Sequence, residues 1–252
     1  MTSNSPEPFE IEIATLSDAG TERGHNEDHC GKYIKNKTSG LVAVADGMAT
    51  MEGGDLASQR AILALMRSFR ELAPGMTQAQ RLVRATRNAN YEVYDMAVVV
   101  PQLRGMSTTL TAVAVTEGDL TAAHVGNSRV YLIRDGYINQ LSKDHTIGAE
   151  AAAETGHYEL RGSDQLTRTL GRELIVPVDL FELDLVQGDV AVLCTDGLYR
   201  VFEDLEIAAL IKGLDAATAC RKLVDEANAI GTLDNLTVAV VRVIGETPGT
   251  RR

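Results

Sequence analysis

No stretch of the 252-residue sequence stays apolar for the roughly 20 residues that a bilayer-spanning helix needs. The start, MTSNSPEPFE, lacks the basic and apolar regions of a secretory signal. A cytoplasmic protein without membrane insertion is therefore expected. Cysteine is scarce: Cys30, Cys194 and Cys220 are odd in number, far apart and never arranged as CxxC. This argues against a disulfide framework or a thiolate zinc site, and suits a reducing compartment. Positive charge is also short, with 24 Lys and Arg against 35 Asp and Glu, a net −11. Long-range repulsion then weighs against nucleic acid or an anionic membrane as the main partner. Low-complexity tracts, internal repeats and Pro/Gly/Ser linkers are missing between positions 9 and 244. One domain over residues 9–244 is expected, with tails at 1–8 and 245–252.

Apolar residues make up 44% and charged residues 23%, an ordinary balance for a folded globular chain. Alternation of Phe9, Ile11, Ile13 and Thr15 with Glu10, Glu12 and Ala14 predicts a half-buried strand. The run LVAVA at 41–45 predicts a buried strand ending in a turn at Asp46-Gly47. Ile62, Leu65, Met66, Phe69 and Leu72 recur at helical spacing, with a stop at Pro74-Gly75. A second helix opens at Thr77, where Gln80 completes a capping box, and runs to Pro101. Four strand-like runs between 107 and 141 are split by Glu117-Gly118-Asp119, Gly126-Asn127-Ser128 and Asp135-Gly136, which predicts antiparallel pairing. After a polar segment at 144–165 come two strands around Gln187-Gly188, helices near 207–211 and 216–229, and a last strand at 236–243. Hairpins combined with helices in consecutive pairs describe an α+β fold of packed antiparallel sheets covered by helices.

Three carboxylates stand next to strand ends, where a stiff sheet can aim them: Asp46-Gly47, Asp196-Gly197 and Asp234-Asn235. A further acidic pair, Glu27 and Asp28, follows Arg23. Converging carboxylates repel each other unless cations sit among them, and oxygen ligands favour hard ions such as Mg²⁺ or Mn²⁺. Any one Asp-Gly is a plain turn about four times in five. Asp135-Gly136, between two strands, reads as such a hairpin tip. A thiolate reading is also available, because Cys194 and Arg200 satisfy C-x5-R. There Asp196 would sit inside the anion cradle and disfavour both thiolate and phosphate, so Cys194 reads as a small core residue. His25 and His29 stand four apart in a turn-rich stretch and read as solvated or supporting side chains. His124 and His145 read as structural.

The strings SDAGTERGHNED (17–28), VADGMATMEGGDLAS (44–58), MSTTLTAVAV (106–115), HVGNSRVYLIRDG (124–136), LSKDHT (141–146), LTRTLG (166–171), LCTDGLYRVF (193–202) and DNLTVAVV (234–241) resemble, in order, the motifs of the metal-dependent protein phosphatase 2C (PPM) family. The resemblance spans residues 9–244. It implies two antiparallel sheets between helical layers, a four-layer αββα sandwich. It also implies a phosphoserine/phosphothreonine phosphatase in which a hydroxide bridging two Mn²⁺ or Mg²⁺ ions attacks the phosphomonoester. On the matching positions, Asp46 would bridge two ions with the Gly47 carbonyl on one of them. Asp196 and Asp234 would hold the other ion, Glu27 and Asp28 would hold metal-bound water, and Arg23 would bind phosphate through its planar fork.

Departures from the family pattern are specific. The glycine-rich stretch after Asp46-Gly47 reads Met48-Ala49-Thr50, while Gly54 and Asp55 keep the downstream spacing. Met48 stands where some relatives carry histidine and cannot donate a proton. Asn127 stands where many relatives have an aspartate for a third metal, so a third ion should bind weakly or not at all. The family's variable flap would map near 146–165. The match looks like bacterial stand-alone members, which implies a cytoplasmic monomer acting on phosphorylated Ser/Thr proteins, opposite a cognate Ser/Thr kinase. The rival from another class is a weak or inactive module that keeps the fold and binds a signalling phosphoprotein. Retention of Arg23 and every core carboxylate weighs against it.

Overall fold

The computed structural model describes residues 9–49, 53–71, 75–155 and 164–244. The strands are β1 (Glu10–Asp18), β2 (Asp28–Asn36), β3 (Ser39–Met48), β4 (Ser107–Thr108), β5 (Leu110–Thr116), β6 (Asp119–Val125), β7 (Arg129–Arg134), β8 (Tyr137–Gln140), β9 (Asp179–Asp184), β10 (Val190–Cys194) and β11 (Leu236–Ile244). The helices are α1 (Gly54–Glu71), α2 (Gln78–Val99), α3 (Ile147–Thr155), α4 (Asp196–Tyr199), α5 (Asp204–Leu210) and α6 (Ala216–Ile230). One sheet runs β1-β11-β10-β7-β8 and the other β2-β3-β5-β6-β9, with the short β4 paired to β3. Every ladder is antiparallel.

The layers follow from which side of each strand is apolar. In β3, Leu41, Ala43 and Ala45 pack under α1 and α2 with Ala61, Leu65, Leu82 and Val93. Val42 and Val44 point the other way and meet Leu193, Ala239 and Val241 of the facing sheet. Side chains alternate along a strand, so a run buried on both sides must be apolar throughout, as LVAVA is. The far layer is built from Val192, Val238 and Val240 against Leu198, Ile207, Leu223 and Ala227 of α4 to α6. The order is therefore helices, sheet, sheet, helices, the expected αββα sandwich. Thr77 caps α2 through the Gln80 box, as its sequence predicts.

Several local expectations change. Residues 28–36 form β2, although their mixed polar sequence shows no clean alternation: only one face is covered, and its outer end is exposed. Asp46-Gly47 is not a turn but the end of β3, because Thr108 pairs opposite Gly47 and prolongs the ladder. Asp135-Gly136 is a hairpin tip, with φ of 52° and 82° in the I′ geometry, and Glu117-Gly118 turns the β5-β6 hairpin the same way. Gly126-Asn127-Ser128 makes no hairpin, since β6 and β7 lie in different sheets and the chain crosses between layers there. Gln187-Gly188 is likewise a crossing, from β9 to β10. Part of the polar segment is helical, as α3. Residues 156–163 of the expected flap, Pro74, Thr50 and both expected tails lie outside the described residues. Among the described residues no helix is long and apolar enough to cross a membrane.

The central layer sets a stability expectation. Leu193 is fully buried between the sheets, whereas Leu205 is 72% exposed. Leu193→Ala should lower the unfolding free energy by about 2–5 kcal/mol and Leu205→Ala by less than about 0.5 kcal/mol in urea titrations. Similar costs for the two would contradict this packing.

Candidate active site

Each sheet delivers two carboxylates to one seam of the sandwich. Asp28 opens β2 and faces Asp46 directly across the ladder with β3. Asp196 begins α4 just after β10, and Asp234 precedes β11, the strand paired to β10. Their backbone is held on all sides. The Asp46 N–H donates to Thr109 Oγ1 at 2.9 Å, and its carbonyl accepts from Thr108 Oγ1 and the Thr109 N–H, both at 2.9 Å. Thr195 Oγ1 donates to Asp28 Oδ2 at 2.7 Å and accepts from the Thr237 N–H at 2.9 Å. That hydroxyl ties a carboxylate of one sheet to the backbone of the other. A side chain at Gly47 would meet the Gly54 carbonyl oxygen at 1.9 Å, and one at Gly197 would meet that of Asn235 at 2.1 Å. Both glycines let neighbouring backbones close in.

Electrostatics shows the strain of this convergence. Loss of water raises the Asp46 pKa well above the usual carboxylate range, and Asp28, Asp196, Asp234 and Glu27 all push it further up. Asp28 is buried and rises to about 7, against hydrogen bonds from Thr195 and Thr237 that favour its charge. Asp196 rises by burial, with Arg200 opposing. Glu27 is raised by partial burial and by Asp55, with Arg23 opposing. A cation at this seam would relieve each of these shifts. Among the described residues no three His, Cys, Asp or Glu side chains close into a ready-made cage. A set completed by backbone carbonyls and water suits Mg²⁺ or Mn²⁺, which use few carboxylates and keep water ligands. Asn127 Oδ1, buried near the chain crossing, has no hydrogen-bond partner.

Arg23 reaches the same seam. Its Nη2 lies 3.1 Å from both Asp234 oxygens, and its Nε donates to the Leu233 carbonyl at 3.3 Å. Asn235 fastens the loop that carries it: Oδ1 accepts from the Glu27 N–H at 2.8 Å, and Nδ2 donates to the carbonyls of Ala19 and His25 at 2.9 Å. The sequence marked Asn235 only as the neighbour of Asp234; nothing local signals its partners, which lie about 210 positions away. Asn127 is held from outside the cluster as well. Tyr199 Oη donates to its carbonyl at 3.1 Å, and the preceding Gly126 N–H donates to His145 Nδ1 at 3.0 Å.

Known proteins share this fold. Residues 21–228 fit the family model described as "Protein phosphatase 2C". The chain belongs to the protein phosphatase 2C family. The serine/threonine phosphatase stp of Listeria monocytogenes is 31% identical over 235 residues, covering 89% of this chain and 93% of that protein. A crystal structure of the Mycobacterium tuberculosis serine/threonine phosphatase PstP/Ppp superposes with a TM-score of 0.81 at 31% identity, over 94% of this chain and 100% of that one. Another structure, of the catalytic domain of PstP in complex with two manganese ions, gives 0.81 at 32% identity over 94% and 99%.

The thiolate route does not suit this phosphatase: Cys194, the last residue of β10, is fully buried against the helical layer, and burial pushes its thiol far above the range in which a thiolate forms. His29 bonds Ser58 Oγ through Nδ1 at 3.0 Å, and burial lowers its pKa, which fits a supporting role. His124 and His145 are buried structural groups, bonded to Thr111 and Asp179 respectively. A cavity of about 1250 Å³ lined by Tyr33, Gly40, Arg70, Gln78 and Glu182 lies at the opposite end of β3 from Asp46 and shares nothing with the seam.

Asp28 makes the charge strain measurable. Its pKa rises from 3.8 in the unfolded chain to about 7 in the fold. The folded state then binds more protons between those values, so this contribution to stability is full below about pH 4 and is lost as pH rises through about 7. In EDTA, the melting temperature at pH 5.5 minus that at pH 8 should be smaller for Asp28→Asn than for wild type, while the lowered pKa values of His29, His124 and His145 pull the other way equally in both proteins. Equal differences in wild type and variant, read by calorimetry, would rule this out.

Proposed function

We propose that the chain hydrolyses phosphoserine and phosphothreonine in proteins at the seam between the sheets, with two Mn²⁺ or Mg²⁺ ions. The observation that carries this reading is the convergence of Asp28 and Asp46 from one sheet with Asp196 and Asp234 from the other, in a chain of the protein phosphatase 2C family; burial and mutual repulsion there favour a cation. Asp46, the Gly47 carbonyl, Asp196 and Asp234 would hold the two ions, with Glu27 and Asp28 behind them on ion-bound water. When bound, the ions supply Lewis acidity toward the phosphoryl oxygens and toward the attacking water.

The protein's own residues supply the rest. Arg23 is half-exposed beside Asp234, and its fork can turn to donate two parallel hydrogen bonds to the phosphate. Thr108 and Thr109 fix the Asp46 backbone, so the base from which its carboxylate projects stays in place when charge develops nearby. Met48 offers no proton, so protonation of the leaving group falls to water. Cytoplasmic location, monomeric state, a single domain over residues 9–244 and a partner Ser/Thr kinase complete the reading; the net charge of −11 supports the absence of nucleic acid among the partners. The inactive binding module is disfavoured by the intact set of carboxylates and Arg23.

Asp46→Asn should lower turnover of p-nitrophenyl phosphate and of a phosphothreonine peptide by more than about a hundredfold, and EDTA should abolish both activities reversibly. Full turnover in excess EDTA would sink the reading. Asn127 permits a second test, because its unpartnered Oδ1 is a ligand atom without charge. Asn127→Asp adds the charge that hard ions bind most strongly, so it should lower the half-saturating Mn²⁺ concentration in calorimetric titrations. An unchanged Mn²⁺ isotherm would leave Asn127 as a residue of the crossing loop alone.

A further inference from the structure

Arg200 has no part in the reaction described above, yet it stands at the same mouth. Its backbone N–H donates to the Asp196 carbonyl at 3.0 Å, which closes the short α4. Its guanidinium Nη2 lies 3.0 Å from Asp196 Oδ2 and 3.1 Å from Asp164 Oδ2. The two partners differ in kind. The Asp196 side chain is 11% exposed and the Asp164 side chain 78%, with Arg200 at 47% between them. Asp196 therefore orients the fork from the protein side, while Asp164 occupies the fork from the solvent side. An ion pair with so exposed a carboxylate contributes little, because water and salt screen it and its side chain gives up entropy to stay in place. Asp164 is thus an exchangeable occupant. Arginine offers five donors in a planar fork, so one carboxylate can hold it in place while another anion binds outside. The protein carries a net −11, which repels acidic peptides at long range, and a cation aimed outward at the mouth offsets that repulsion locally.

We propose that Arg200 is a specificity residue that binds an acidic group, a carboxylate or a second phosphate, next to the phosphorylated residue of the substrate protein, and that this group displaces Asp164. The inference rests on the phosphatase reading given above. The other anion that could take the same fork is the scissile phosphate itself. The two are separable, because p-nitrophenyl phosphate carries a scissile phosphate and no neighbouring acid.

The test uses the full chain with Mn²⁺ and measures kcat/KM on p-nitrophenyl phosphate, on a phosphothreonine peptide flanked by Glu, and on the same peptide flanked by Gln. Arg200→Gln should lower the Glu-to-Gln ratio by about fivefold, and Arg200→Lys should lower it less. Asp164→Asn, a change at an exposed site, should raise the ratio by removing the resident competitor. A ratio that Arg200→Gln leaves unaltered overturns the proposal. Equal losses on all three substrates also overturn it, and assign Arg200 to the scissile phosphate. Absence of turnover by the wild type defeats the phosphatase reading instead. In that case fluorescence anisotropy of the labelled Glu-flanked phosphopeptide still decides: weaker binding by Arg200→Gln than by wild type supports the acid-binding role, and equal binding overturns it.

Discussion

Repulsion among carboxylates gathered at one seam is the constraint on which the rest of this structure depends. Asp28 and Asp196 are buried there, and Asp46 and Asp234 are partly buried beside them. Nothing in their own chemistry favours the gathering; each charge raises the protonation of its neighbours. The arrangement stands because the cost is spread over a rigid frame. Thr108 and Thr109 saturate the backbone of Asp46, Thr195 and Thr237 hold Asp28, and Asn235 pins the loop behind Asp234. A folded frame that maintains unfavourable charge density is prepared for a cation and, through the cation, for an anion. Stability is given up locally so that binding is strong.

Chain crossings between the sheets explain how the frame is built. At Gly126-Asn127-Ser128 and again at Gln187-Gly188 the chain leaves one sheet for the other. The crossing at Gly126-Asn127-Ser128 lies at the seam, where Tyr199 and His145 hold it from the α4 side and from the start of α3. Thr109 Oγ1 bonds Ser128 Oγ at 2.8 Å, so the threonine that fixes Asp46 also fixes this crossing. Packing Val42 and Val44 against Leu193, Ala239 and Val241 then holds the sheets at one separation. Carboxylates from different sheets keep their spacing as long as that apolar layer stays closed.

The two arginines at the mouth differ in how far the local sequence announces them. Arg23 was legible, because it stands four residues before Glu27 inside a string that resembles a family motif. Arg200 stands out locally only as the end of a C-x5-R pattern, and that pattern has no chemical meaning here, since Cys194 is sealed in the core. Its actual neighbours are Asp196, one helical turn back, and Asp164, 36 positions away. The first could be read from helical spacing had α4 been expected. The second could not, because no local pattern reports which loop returns to the mouth.

Periodicity and composition by themselves determined that packed sheets are covered by helices: LVAVA is apolar on both faces and must lie inside, and the helical-period runs from Ile62 and from Thr77 must cover a sheet. Ordered motifs likewise determined the family and the positions of its carboxylates. Tertiary structure alone decided that β6 and β7 part company at a turn that reads as a hairpin, that the mixed polar segment 28–36 is a strand, and that Asp46-Gly47 extends a ladder. It alone decided that Asn235, Thr195 and Thr109 support the site. The physical reason is the same in each case: local sequence specifies which faces are apolar and which turns are easy, whereas pairing and hydrogen bonding across the molecule depend on where distant segments arrive.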